Sequence, residues 1–202
     1  MNLSPPDLRA RLMDALGRDG GYSSDFDLNP DVKLPENRKL RQAAVLVPIW
    51  MRDDGARLLL TKRASHLKHH PGQIAFPGGK VDEGDADVNA AALREAHEEI
   101  GLPRDQVELL GHLPTHETVT SFTVTPVVGL IYGPQTLVPE EGETEEIFTV
   151  PLEHVLTPAR FSIQSRMWQG RKRRYYTVPF GPYYIWGATA RMLMGLCDRW
   201  HA

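Results

Sequence analysis

An α/β domain built on a mixed sheet is the fold class this sequence predicts. Three observations carry that reading. Runs of strand-like composition and runs of helical spacing intermix without the regular alternation of a doubly wound fold. The 202 residues suffice for one full core. No repeat, low-complexity tract or inter-domain linker divides the chain. Residues 1–40 are expected to form an N-terminal helix and connector packed on the main domain, residues 41–202.

Pro5 and Pro6 can open a helix, and DLRARLMDAL follows with apolar residues at helical spacing. Residues 20–40 are rich in Gly, Asp, Asn and Pro and read as a long connector. Strands over residues 42–50 and 57–63, joined by a turn at residues 52–55, predict a hairpin. HLKHHPGQIAFPGGKVDEGD reads mostly as loop, with GQIAF extended. Its FPGGKVDEGD part holds only Phe76 and Val81 as large apolar side chains and is expected to add little to a core. A helix is expected over residues 86–100; Gly101 ends it and Pro103 prevents its resumption. QVELLGHL and VTPVVGLIY read as strands, residues 134–145 as an acidic loop, and EIFTVPL as a further strand. FSIQSRMW and RRYYTVPF predict a second hairpin turning at Gln169 and Gly170. YIWGATARMLMGLCDRW predicts a closing helix with one apolar stripe.

Composition narrows the function classes. Hydrophobic residues are 41% and charged residues 24%, ordinary globular usage. A formal net charge of −3 gives no overall pull toward nucleic acid or an anionic membrane, so any anion site must be local. Cys197 is the only cysteine, which excludes an internal disulfide and a cysteine-based zinc site. The longest apolar run, AAVLVPIWM, is far short of the roughly 20 residues of a membrane helix. MNLSPPDLRARL shows no apolar signal core. These features predict a soluble, cytoplasmic protein with neither nucleic-acid nor membrane partners.

AALREAHEEIGL, residues 91–102, is the informative helix segment. At 3.6 residues per turn, Ala92, Leu93, Ala96 and Ile100 form a buried stripe. Glu95 and Glu99 stack beside that stripe, and Glu98 lies further out. Carboxylates at this spacing repel one another, and they sit near the helix C-terminus, where negative charge is disfavoured. One remedy is a hard divalent cation, which takes oxygen ligands. The other reading is a solvated acidic face. PGGKVDEGD tips the balance toward the cation. It brings more carboxylates to the same helix, and Gly78 and Gly79 leave bare backbone for close approach to a ligand. On the same wheel Arg94 faces away from the Glu95–Glu99 pair, which points to a structural ion pair.

Arg94-Glu95-Ala96-His97-Glu98-Glu99-Ile100-Gly101-Leu102 resembles the second half of a Nudix box at every fixed position. The first half departs: Asp85 stands where the pattern has Glu, and eight residues rather than seven separate it from Arg94. Upstream, Leu59-Leu60-Thr61-Lys62-Arg63-Ala64, Lys68, Gly72 and Phe76-Pro77-Gly78-Gly79 resemble the signature of the coenzyme A pyrophosphatase branch, with Lys68 in place of an arginine. QAAVLVPI, VTPVVG and IWGATA are also similar to that branch.

The resemblance implies a three-layer α/β/α Nudix-type sandwich with a mixed sheet. It also implies metal-dependent hydrolysis of the pyrophosphate bond of coenzyme A or its thioesters, with Mg²⁺ or Mn²⁺. Products would be 3′,5′-ADP and (acyl-)4′-phosphopantetheine. Carried onto this chain, Glu95, Glu99, Glu98 and the Gly79 backbone are the metal contacts. Glu98, Glu99, Glu143 and Glu146 are the catalytic candidates, the last two by analogy. Arg63, Lys68, Gly78 and Gly79 are the substrate contacts. The alternatives are hydrolysis of ADP-ribose, dinucleotides or capped RNA, and a nucleotide-binding module without catalysis. The oligomeric state stays open, a homodimer included.

His66, His69 and His70 read as loop histidines that can touch ligand rather than as a zinc site, and His112 and His116 are weak candidates. RKRR, residues 171–174, is a solvated hairpin or a contact for ligand phosphate or RNA. Most of Trp168, Tyr175, Tyr176, Tyr183, Tyr184 and Trp186 are core, with one available to stack on adenine. Ser121 lacks the context of a nucleophile elbow.

Overall fold

A computed structural model describes residues 3–32, 34–35, 37–168 and 170–202. Two apolar clusters lie on opposite faces of one nine-stranded mixed sheet. This is the α/β/α sandwich expected. The strands are β1 (Ser23–Ser24), β2 (Arg41–Arg52), β3 (Gly55–Arg63), β4 (Ile74–Ala75), β5 (Gly78–Lys80), β6 (Val107–His112), β7 (His116–Glu117), β8 (Phe122–Ile131) and β9 (Thr144–Pro151). At the centre β2 runs parallel to β8 and antiparallel to β3, and β3 pairs antiparallel with β9. Central position explains the near-continuous apolar stretch of β2: Ala43, Val47 and Ile49 pack on one face, Ala44 and Leu46 on the other.

The helices are α1 (Pro5–Gly17), α2 (Val88–Ile100), α3 (Leu152–Val155) and α4 (Ala188–His201). One face of the sheet carries α1, α3 and α4 over the larger cluster, where Leu8, Leu12, Leu193 and Leu196 are buried. The other face carries α2, whose Ala91, Ala92, Ala96 and Ile100 meet Leu46, Leu59 and Val127. Small alanines let α2 lie close to the strands. The second hairpin, β10 (Ser162–Trp168) with β11 (Arg171–Thr177), forms a separate two-stranded sheet. Its expected turn residue Gln169 lies outside the described residues. Among the described residues no helix is long and apolar enough to cross a membrane.

Two details differ from the sequence reading. Gly78–Lys80 is a strand, not loop: β5 pairs antiparallel with Ala43–Val45 of β2. The apolar ring of Phe76 is buried in the larger cluster, so this segment does contribute to the core. The connector makes pairings of its own. Ser23–Ser24 pairs parallel with His116–Glu117, and buried Asn29 exchanges hydrogen bonds with the Arg174 backbone, donating at 2.9 Å and accepting at 2.8 Å.

Candidate active site

The site is built where α2 crosses β5. Asp87 caps α2, accepting from Ala90 N–H at 2.8 Å, and Gly101 ends it with φ of 68° and an N–H bond to His97. Between these caps the buried stripe includes a carboxylate. Glu99 is only 6% exposed, so it lies within the stripe rather than beside it, while Leu93 moves to the margin. Gly78 N–H donates to Glu99 Oε2 at 3.1 Å. Burial pushes the Glu99 carboxyl up to about 7. Burial also raises Glu95, against the pull of Arg94.

The glycines make this arrangement possible. A Cβ on Gly79 would stand 2.5 Å from Glu95 Oε1. A Cβ on Gly78 would stand 2.5 Å from the Ala44 carbonyl oxygen and the Val45 Cα. At Gly78 the obstacles are backbone, so β5 lies against β2 only without a side chain there, whereas at Gly79 the bare backbone leaves room for the Glu95 carboxylate.

Arg94 does form the structural ion pairs expected, although the wheel misplaced its tip. Its long side chain reaches back to Glu95 Oε1 and Glu98 Oε2, each at 3.0 Å, and to the Lys80 carbonyl at 3.0 Å. Its fork grips Asp85 with two bonds of 2.9 Å. Asp85 also accepts from Asp82 N–H at 2.9 Å. Asp85 thus anchors the loop to the helix and is spent on that task.

The Arg94 hydrogen bonds hold the Asp85 carboxyl down at about 2, below its ordinary 3.8. A lowered carboxyl stabilises the fold above its unfolded pKa, and the benefit is lost as pH falls through the folded value. Asp85→Asn should therefore lower Tm at neutral pH, with a deficit that shrinks from about pH 4 to about pH 2. Thermal melts across that range check it, and a deficit independent of pH would contradict it.

The acidic loop before β9 docks on the end of α2, with Val138 N–H on the Ile100 carbonyl at 3.0 Å and Glu140 N–H on the Glu99 carbonyl at 2.9 Å. Glu143 comes near enough to repel the Glu99 charge, and Arg63 near enough to favour it. Among the described residues the Glu143 carboxylate has no hydrogen-bond partner. Glu145 binds Lys62 Nζ at 2.6 Å and Ser65 N–H at 3.0 Å.

Glu146 stands apart from the α2 carboxylates. It shares its side of β9 with Phe148, whose ring lies against Tyr183 at 3.6 Å, and it accepts a hydrogen bond from the Tyr183 hydroxyl. That side faces away from α2, so Glu146 does not join the carboxylate group. Strand alternation separates it from the helix. Lys68 is exposed on the loop after β3. His116 is fully buried between Ser23 and Asp25, a structural role.

Among the described residues no three His, Cys, Asp or Glu side chains converge as a preformed metal cage. The oxygen donors still fit a hard divalent cation. Glu99 is desolvated, its carboxylate accepting only from Gly78 N–H among the described residues, and Glu95 lies over the bare Gly79 backbone. Such cations complete their shell with water and substrate phosphate.

The NUDIX domain profile matches residues 40–169. A protein of Enterobacter sp. (strain 638) named uncharacterized Nudix hydrolase NudL is 46% identical over 156 residues, covering 77% of this chain and 81% of its own. A Salmonella typhimurium protein of the same name is 42% identical over 175 residues, covering 87% and 91%. The crystal structure of a MutT/nudix family protein from Enterococcus faecalis covers 98% of this chain and 75% of its own at a TM-score of 0.52. At 16% identity it speaks for the fold alone.

Proposed function

The chain belongs to the NUDIX domain family, and from that premise we propose that it hydrolyses the pyrophosphate bond of coenzyme A or its thioesters. That it is a Nudix pyrophosphohydrolase follows from the family; the substrate is our assignment. The observation that carries it is the meeting of two segments. The stretch with the coenzyme A signature, Leu59 to Gly79, ends in β5 directly against Glu95 and Glu99 and brings Arg63 within electrostatic reach of Glu99. That nearness of a cation suited to phosphate and a carboxylate pair suited to a metal supports the reading.

Nudix hydrolases use divalent metal ions, and Mg²⁺ or Mn²⁺ suits all-oxygen donors. Glu95 and Glu99 would hold it, with the Gly79 backbone alongside. When bound, such an ion neutralises phosphate charge and makes water a better nucleophile.

This chain's residues do the rest. Water oxygen bonds to one phosphorus, the bridging P–O bond breaks, and the water proton passes to a carboxylate. We assign that acceptor to Glu143. Glu98 is engaged by Arg94 and Glu146 by Tyr183, whereas Glu143 carries no competing partner among the described residues. Arg63 orients the anionic substrate, with exposed Lys68 as an outer contact. The reading fits a cytoplasmic enzyme acting on a small molecule.

A substrate panel with Mg²⁺ or Mn²⁺ tests the assignment. Coenzyme A or an acyl derivative should give the highest kcat/KM, ahead of ADP-ribose, a dinucleoside polyphosphate and capped RNA. A higher value for any of these three would overturn it.

A further inference from the structure

Arg63 also lines a cleft of about 280 Å³ formed with the β10–β11 hairpin and the start of α4. Its wall carries Arg63, Arg166, Arg173 and Arg174, together with Tyr175 and Trp186. Among the described residues none of the four arginines has an ion-pair partner. The one carboxylate among the described lining residues, Asp25, bonds His116 at 3.3 Å and Val119 N–H at 2.8 Å, and its charge also acts on Arg173. Four guanidinium cations against one carboxylate leave the cleft net positive, which favours entry of an anion.

The hairpin is held in place rather than left free. An exposed two-stranded hairpin is marginal alone, and every residue of β10 is exposed. Asn29 clamps it at the Arg174 backbone, and Arg191 of α4 lies over Tyr176 at 5.5 Å. The guanidinium of Arg166 lies 4.4 Å over the Trp186 ring, and that of Arg173 lies 4.8 Å from Trp168. These stacks fix the guanidinium planes, so less freedom is lost when each binds a phosphate. Tyr175 meets Trp186 edge to face at 5.1 Å, giving an aromatic wall beside the arginines.

We propose that this cleft binds the phosphorylated-nucleoside end of the substrate, with Arg166 and Arg173 gripping a phosphate that is not hydrolysed and the Tyr175–Trp186 wall meeting the base. At about 280 Å³ the cleft lies just below the range of whole ligand pockets, which suits one end of a coenzyme A molecule rather than all of it. Arg63 links the two regions: it lines the cleft and also acts on Glu99. The proposal rests on the coenzyme A reading, and it makes the hairpin the element that distinguishes coenzyme A from its 3′-dephospho form.

The test compares wild type with Arg166→Ala/Arg173→Ala. Both side chains are at or near the surface, and a thermal melt confirms folding. The kcat/KM ratio of coenzyme A to 3′-dephospho-coenzyme A should exceed 1 in wild type and fall about tenfold in the double variant, mainly through KM. Arg166→Lys/Arg173→Lys, which keeps charge without the fork, should fall in between. An unchanged ratio in the alanine variant would overturn the proposal while leaving the coenzyme A reading intact. If wild type hydrolyses neither compound, that reading fails, and calorimetry with adenosine 3′,5′-bisphosphate decides the cleft. Binding that the double variant loses supports it; no binding by wild type overturns it.

Discussion

Glu99→Gln should lower kcat by about 10³-fold or more, about 4 kcal/mol of transition-state stabilisation, and leave the fold intact. The reason is local. Glutamine keeps the shape and retains an oxygen to accept from Gly78 N–H, but it supplies no charge for a cation. Stability should move the other way. The Glu99 carboxyl titrates at about 7, above its ordinary 4.5, because burial disfavours its charge. A raised carboxyl contributes stability that is fully present below the unfolded pKa and lost as pH rises through the folded pKa. Metal-free wild type should therefore lose stability from about pH 5 to about pH 8, and Glu99→Gln should flatten that slope. Chemical denaturation at several pH values, beside steady-state kinetics, separates the two effects. Near-normal turnover in the variant would remove Glu99 from the site.

Gly78→Ala carries the largest expected cost to stability. The residue has φ of 155°, and its Cβ would press on the Ala44 carbonyl and Val45 backbone at 2.5 Å. Neither obstacle is a flexible side chain. Steric overlap and backbone strain together should cost about 3 kcal/mol or more, about 6–12 °C in Tm for a domain of this size. Gly84→Ala in the loop after β5 is the control, since nothing lies within 4 Å of its added Cβ. It should melt within a degree or two of wild type. Equal melting of the two variants would show that β5 does not sit tightly on β2.

Much of this was legible in the sequence, for identifiable reasons. The helix over residues 88–100 was visible because alanines and carboxylates repeat at 3.6-residue spacing and Gly101 ends the repeat. Its depth was not visible. A wheel gives direction, but whether Glu99 lies beside the stripe or inside it depends on how closely β5 approaches, which is a tertiary fact. The Gly-Gly-Lys strand β5 was hidden because glycine carries no strand signal of its own. The role of Asp85 was hidden because the wheel locates the Arg94 Cβ, whereas the guanidinium lies several bonds further along. In the acidic run of residues 143–146, composition alone made each carboxylate equivalent. Pairing of β9 with β3 then turned Glu146 to Tyr183 and left Glu143 near Glu99. Asn29 carried no signal, since its partner is the backbone of a residue 145 positions away.

The most direct measurement is a ³¹P NMR time course of coenzyme A with the purified protein and Mg²⁺ or Mn²⁺. The account predicts that the diphosphate resonances give way to two new monophosphate signals, those of 3′,5′-ADP and 4′-phosphopantetheine, and that chelation of the metal stops the change. Diphosphate resonances that persist under both metals would contradict it.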